Sequence, residues 1–131
     1  MRRLFIILVF ALLATGCEKN SGQNLECLVT LNAVVQGQSS APVSIVADRT
    51  LSGTMFRNIN TLDNYNIPAF SNGTAQLQVL KGLYMITFDA DAVFADGTEH
   101  RVRAAQYNSP EKSVRLVDDN CTVTLYLTVL Q

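Results

Sequence analysis

From Leu25 to the C-terminus, apolar and polar residues alternate with a period of two, and Gly, Asn, Asp and Pro cut the alternation into short runs. Successive side chains of a strand point to opposite faces, so this pattern is that of half-buried β-strands; no long run repeats with the 3.6 period of an amphipathic helix. Strands are expected over residues 25–35, 42–47, 74–80, 84–94, 98–107, 112–117 and 121–130. Residues 48–70 break the pattern with Asn58, Asn60, Asp63, Asn64, Asn66 and Pro68. That stretch reads as a long loop with a brief strand near 53–59. About seven short strands and no helix in the body of the chain predict an all-β sandwich.

The most specific local reading is the hairpin around Ala95-Asp96-Gly97. A three-residue loop with Gly97 in the left-handed position pairs Ala92 with His100, Ala90 with Val102 and Phe88 with Ala104 on one face. The other face then sets Asp91 opposite Arg101 and Asp89 opposite Arg103. A two-residue loop would shift the pairing by one and mix charged with buried positions along the whole hairpin.

The N-terminus follows a different rule. Met1-Arg2-Arg3 is a positive start, residues 4–13 are an uninterrupted apolar run, and Ala14-Thr15-Gly16-Cys17 closes with small residues before a cysteine. Ten apolar residues are too few to span a bilayer as a helix but suit the core of an export signal. Gly16-Cys17 resembles the lipobox of bacterial lipoproteins, with Ala14 where Leu is usual. The resemblance implies a cleaved signal helix over 1–16, diacylglycerol and palmitate on Cys17, a polar tether over 17–24 and a domain over 25–131. Anchoring by several acyl chains would hold the mature protein stably to a membrane. Glu18 after the cysteine is similar to export tags of surface lipoproteins in Bacteroidota-like bacteria, so the expected address is the outer membrane, periplasmic or surface-facing.

Removing residues 1–16 leaves 115 of the 131 residues, with 8 basic and 11 acidic side chains, a net charge of −3. That is one domain's worth of chain, with no basic footprint for nucleic acid. Setting Cys17 aside also leaves an even pair, Cys27 and Cys121, each at the start of an apolar strand. In an oxidising compartment the pair is expected to form a disulfide if the first and last strands are parallel neighbours; two buried free thiols are the alternative.

Ser71-Asn72-Gly73-Thr74-Ala75, then Leu77, Val79, Leu80 and Gly82-Leu83-Tyr84, resembles the carboxypeptidase-regulatory-like and Cna-B-type domains. In these a polar Gly turn leads into a strand and a Gly-x-Tyr turn opens the next. Residues 28–35 and Ala41-Pro42-Val43 are similar to the opening strand and its proline-containing continuation. The resemblance implies an immunoglobulin- or transthyretin-like sandwich over roughly 27–130. The first strand contains no lysine, so the isopeptide crosslink of some Cna-B-type relatives is not expected. Read by themselves, Gly82 permits a tight turn and Tyr84 can bury its ring while its hydroxyl caps the backbone.

No constellation that carries chemistry emerges. His100 is the only histidine and no Cys-x-x-Cys occurs, so no metal centre or cofactor is expected. Asp89 and Asp91 share a face but have Arg101 and Arg103 to pair with. Asp118-Asp119-Asn120 lacks the spaced acids of a calcium loop and reads as a turn. Phe56, Tyr65 and Phe70 in the irregular stretch are candidate surface contacts for an envelope protein or glycan, with core plugging the alternative. The functional expectation is a non-enzymatic, lipid-anchored envelope protein acting as a binding or assembly module. The rival readings are a subunit or anchor of a surface fibre and, from a different class, a small hydrolase using His100.

Overall fold

The computed structural model describes residues 24–131; the signal helix, Cys17 and most of the tether lie outside the described residues. Nine strands and one single-turn 3-10 helix follow. They are β1 (Glu26–Val35), β2 (Ser44–Ala47), β3 (Met55–Asn58), β4 (Phe70–Ser71) and β5 (Thr74–Leu80). Then come β6 (Gly82–Val93), β7 (Glu99–Tyr107), the helical turn Pro110–Lys112, β8 (Val114–Leu116) and β9 (Asn120–Val129).

The all-β expectation holds, and the hairpin between β6 and β7 has the register that alternation demands. Asp89 faces Arg103, Ala90 faces Val102, Asp91 faces Arg101 and Ala92 faces His100. Gly97 has φ +86° and donates its N–H to Phe94 O, which closes the three-residue loop. β1 and β9 are parallel neighbours over Leu28–Val35 and Asn120–Leu127.

The arrangement of strands corrects the two-sheet sandwich. Pairing runs β2-β4-β5-β1-β9-β7-β6, and β6 pairs again with β2, so seven strands close into a barrel. The physical reason is the length of β6. One side takes β7 and β8 in succession; the other takes β2 against Ala90–Val93 and β3 against Tyr84–Thr87. β4, only Phe70–Ser71, then joins β2 to β5 and stitches together edges that a sandwich leaves apart.

The alternation fills the interior. Val29, Leu31, Ile45, Tyr84, Ile86, Ala90, Ala92, Val102 and Leu127 are fully buried, with Phe56 and Phe70 supplied by the irregular stretch. Phe56 meets the Tyr84 ring edge-on at 5.2 Å, and Phe70 stacks on Phe88 at 6.3 Å. Burying such rings is worth a few kcal/mol each, which explains why a polar, Asn-rich loop carries them.

Asn58 organises that loop. It is fully buried, and its Oδ1 accepts the N–H groups of Asn60 (2.8 Å) and Thr61 (3.1 Å). Its Nδ2 donates to the Tyr84 hydroxyl at 3.1 Å, and that hydroxyl donates to Leu80 O at 2.6 Å. The Tyr65 hydroxyl accepts the Leu80 N–H at 3.1 Å, so two tyrosines hold both backbone groups of one residue before Gly82. Burial raises the Tyr84 hydroxyl pKa well above the usual phenol range.

Candidate interaction surface

Besides the short β4, the barrel is sparsely paired along the seam where two long strands, β7 and β9, meet. β7 and β9 pair at only two positions, Val102 with Val129 and Arg103 with Thr128. Below these, β7 changes register against β6 between Phe88–Ala104 and Ile86–Tyr107. Three residues of β7 there span two of β6, so the extra residue bends β7 out of line with β9. The Gln106 side chain reaches back across the gap: its Oε1 accepts the Tyr126 N–H at 3.2 Å. Among the described residues, no strand lies against the seam side of β9 below that contact.

Beyond Glu26 at the start of β1, the outer face of β5, β1 and β9 carries no charged side chain. Gln76 and Gln78 from β5, Thr30 and Asn32 from β1, and Thr122 and Thr124 from β9 point outward. Gln76 Nε2 donates to Thr30 Oγ1 at 3.0 Å, and Thr74 Oγ1 to Asn32 Oδ1 at 3.3 Å. Across this face Val34 pairs with Tyr126, and both side chains are roughly half exposed.

The charges gather on β6 and β7 instead. Arg103 Nε and Nη2 hold the two Asp89 oxygens at 2.8 and 3.0 Å, while Arg101 bonds both Asp91 and Asp48. Hydrogen bonds from Thr50, then from Arg101, lower the Asp48 carboxyl to about 2, and Arg103 likewise holds the Asp89 carboxyl below its usual range. These carboxylates are ionised and paired, which suits them to structure rather than to proton transfer. Two open clefts flank the 48–54 segment. One, of about 380 Å³, is lined by Thr54, Thr87, Asp89 and Arg103; the other, of about 490 Å³, by Asp48, Thr50, Ile67 and Asp91. No group of three His, Cys, Asp or Glu side chains among the described residues is placed to hold a metal ion.

The remaining sequence candidates scatter. Phe56 and Phe70 are core residues, buried at 0% and 2% exposure, and present no surface for contact; the apolar cost of exposing two rings decides this. Tyr65 is half-buried against Tyr84, its hydroxyl committed to Leu80. His100 is half-buried edge-on to Phe94, ring centroids 5.6 Å apart. Cys27 and Cys121 are free thiols. The register sets Cys121 opposite Val29, so Cys27 lies diagonally below it on the inward face. Burial, reinforced by a hydrogen bond with Cys121, pushes the Cys27 thiol up to about 12.

Sequence reasoning missed the seam, Gln106 and the neutral face. Thr122 and Thr124, alternating with the apolar Val123 and Leu125, were the available signal, since an outward strand side without charge is unusual where a sheet edge is left free.

No family model and no curated protein matches the chain. Among solved structures, it is similar to a DUF4876 family protein from Bacteroides thetaiotaomicron VPI-5482, at 10% sequence identity and a TM-score of 0.52. The match covers 80% of this chain but only 24% of the other, so the chain spans about a quarter of that protein's length. At this identity the likeness concerns the fold.

Proposed function

We propose that this chain is a non-enzymatic, lipid-anchored envelope protein of a Bacteroidota-like bacterium, serving as a binding or assembly module. The observation that carries the reading is the outer face of β5, β1 and β9, uncharged beyond Glu26, with Val34 and Tyr126 exposed side by side at its end, where β1 and β9 run past β5. Half-exposed aromatic and branched residues within a flat field of Thr, Asn and Gln suit contact with an uncharged envelope partner, a protein or a glycan. The arginines and aspartates of β6 and β7 are paired with one another.

The anchor belongs to the same proposal: Cys17 would carry the lipid, and the tether would hold the barrel at the outer membrane. The transthyretin-like resemblance also remains a proposal. A barrel closed on one side by the short β2 and β4, and only half-closed between β7 and β9, is a small step from two packed sheets. The reading as a subunit or anchor of a surface fibre is favoured by the half-open seam, because fibre assembly needs an acceptor edge.

The test is a photo-crosslinking residue at position 126 in cells expressing the whole lipoprotein, with the same residue at Arg115 as control. A discrete adduct at 126 but not at 115 is expected. Absence of any adduct at 126 while the protein is membrane-bound would overturn the reading. Cys17→Ser should move the protein from the membrane to the soluble fraction, and its retention would remove the anchor.

A further inference from the structure

We infer that the lower half of β9 is an acceptor edge for an uncharged, extended segment of a partner protein, which adds to it as a strand. The inference rests on the reading of this chain as a binding or assembly module and names what the module takes.

Hydrogen-bond direction along β9 supplies the first argument. Alternate residues of a strand turn their N–H and C=O groups to opposite neighbours. Leu28 N–H bonds to Asp119 O and Gln36 N–H to Leu127 O, so the odd-numbered residues of β9 serve β1. Thr128 faces Arg103 of β7, and the Tyr126 N–H meets Gln106 Oε1, so the even-numbered residues serve the seam. Thr122 and Thr124 therefore aim two N–H and two C=O groups into the seam, where among the described residues no strand pairing reaches them. Spaced two residues apart, these groups match the repeat of an extended peptide.

The second argument is the chemistry already in the gap. At Tyr126 the edge is satisfied by a carboxamide, the side-chain equivalent of a peptide group. Gln106 thus stands where the next strand's backbone would stand, and below it the place is open.

The third is charge. Proteins usually guard free edges with lysines, glutamates or coverage by a loop. This molecule does so at β3: Tyr65 N–H bonds to Phe56 O, Asn58 N–H to Asp63 O, and Asn64 Oδ1 accepts the Phe56 N–H. β9 lacks such charges, since every residue from Asn120 to Val129 is uncharged, and among the described residues no strand pairs with its lower half on the seam side. Its inward neighbours Val123 and Leu125 are buried, so the incoming segment should alternate apolar residues inward with uncharged polar residues outward.

Amide hydrogen exchange by NMR on the full chain in detergent micelles tests this, with a capped peptide copying residues 122–128 as the probe strand. In the protein alone, Thr122 and Thr124 should exchange at least tenfold faster than Val123 and Leu125, an alternation that a fully paired strand does not show. The peptide should slow Thr122 and Thr124 at least tenfold and leave Val123 and Leu125 unchanged. Thr124→Pro removes an N–H that faces the seam and not β1, so it should fold and lose the peptide's protection of Thr122. Should Pro disturb the strand, Thr122→Lys places a charge beside the edge and is expected to weaken the peptide at least tenfold. Protection before peptide is added, protection that grows with protein concentration alone, or a peptide without effect would each overturn the inference. A crosslink at position 126 that survives Thr124→Pro would keep the module and remove the strand acceptor. Loss of the wild-type crosslink with peptide protection intact would do the reverse.

Discussion

Replacing Gly82 by alanine should destabilise the barrel, although its backbone conformation is not one reserved for glycine. A Cβ at this position would stand 2.7 Å from Asn58 Nδ2 and 3.2 Å from both Asn58 Oδ1 and Asn60 Oδ1. The nearest atom belongs to a side chain that cannot swing aside. Asn58 is fully buried, its Nδ2 tied to the Tyr84 hydroxyl and its Oδ1 to two backbone N–H groups. Two effects oppose each other. Reduced freedom of the unfolded chain favours alanine by about 0.4–1 kcal/mol. Forced overpacking costs about 1–3 kcal/mol. Any displacement of Asn58 that strips a buried hydrogen bond costs about 1–3 kcal/mol more. The steric terms win, for a net loss of about 2–4 kcal/mol. At roughly 4 °C per kcal/mol for a domain near 100 residues, Tm should fall by about 8–16 °C. Thermal melts followed by circular dichroism, with urea titration for the free energy, read this directly. Asn58→Ala should itself be costly because it orphans the N–H groups of Asn60 and Thr61. Adding Gly82→Ala to Asn58→Ala should then cost at least 1 kcal/mol less than Gly82→Ala alone. A Gly82→Ala protein as stable as the parent would refute the argument, and strict additivity in the cycle would show that Asn58 is not the atom met.

Further outcomes follow from the same geometry. We propose that Cys27 and Cys121 become bridged once the protein is exported. Closing a loop from 27 to 121 would stabilise it by about 4–5 kcal/mol in the chain-entropy model, less any strain from their diagonal placement. Intact mass without reductant should be lighter by two hydrogens, and two alkylatable thiols would reject the bridge. The Asp48 carboxyl is lowered in the fold to about 2 from an ordinary 3.8, so its contribution is present above pH 4 and lost as pH falls toward 2. Asp48→Asn should flatten the fall in Tm across that window, and an unchanged acid slope would count against the Thr50 and Arg101 contacts. Phe56→Ala should cost about 3–5 kcal/mol, because the ring is fully buried against Tyr84. A cost below 1 kcal/mol would return Phe56 to the surface.

Much of this barrel is legible in its residues. Period-two alternation marks the long strands β1, β5, β6, β7 and β9, because each has one buried and one solvated face. The β6–β7 register follows from matching Asp89 and Asp91 to Arg103 and Arg101, since a slip by one residue would bury charge. The double cap on Leu80 was half visible in Gly82-x-Tyr84, while Tyr65 is fifteen residues away and only folding brings it in. Closure was not legible. It depends on β2, expected as a strand but pairing with β4 and β6 far along the chain, and on β4, which at two residues is too short to carry a period. The same holds for Phe56 and Phe70: an aromatic among asparagines reads equally as a plug or a contact until the core that receives it exists. The seam is the clearest case. Thr122 and Thr124 alternate like any outward-facing pair, and whether their backbone groups find a partner depends on a bulge at Ala105–Gln106, on another strand. Side-chain direction is a local property of the chain, set by the pleat; hydrogen-bond partnership is a property of neighbours, and only the tertiary structure assigns those.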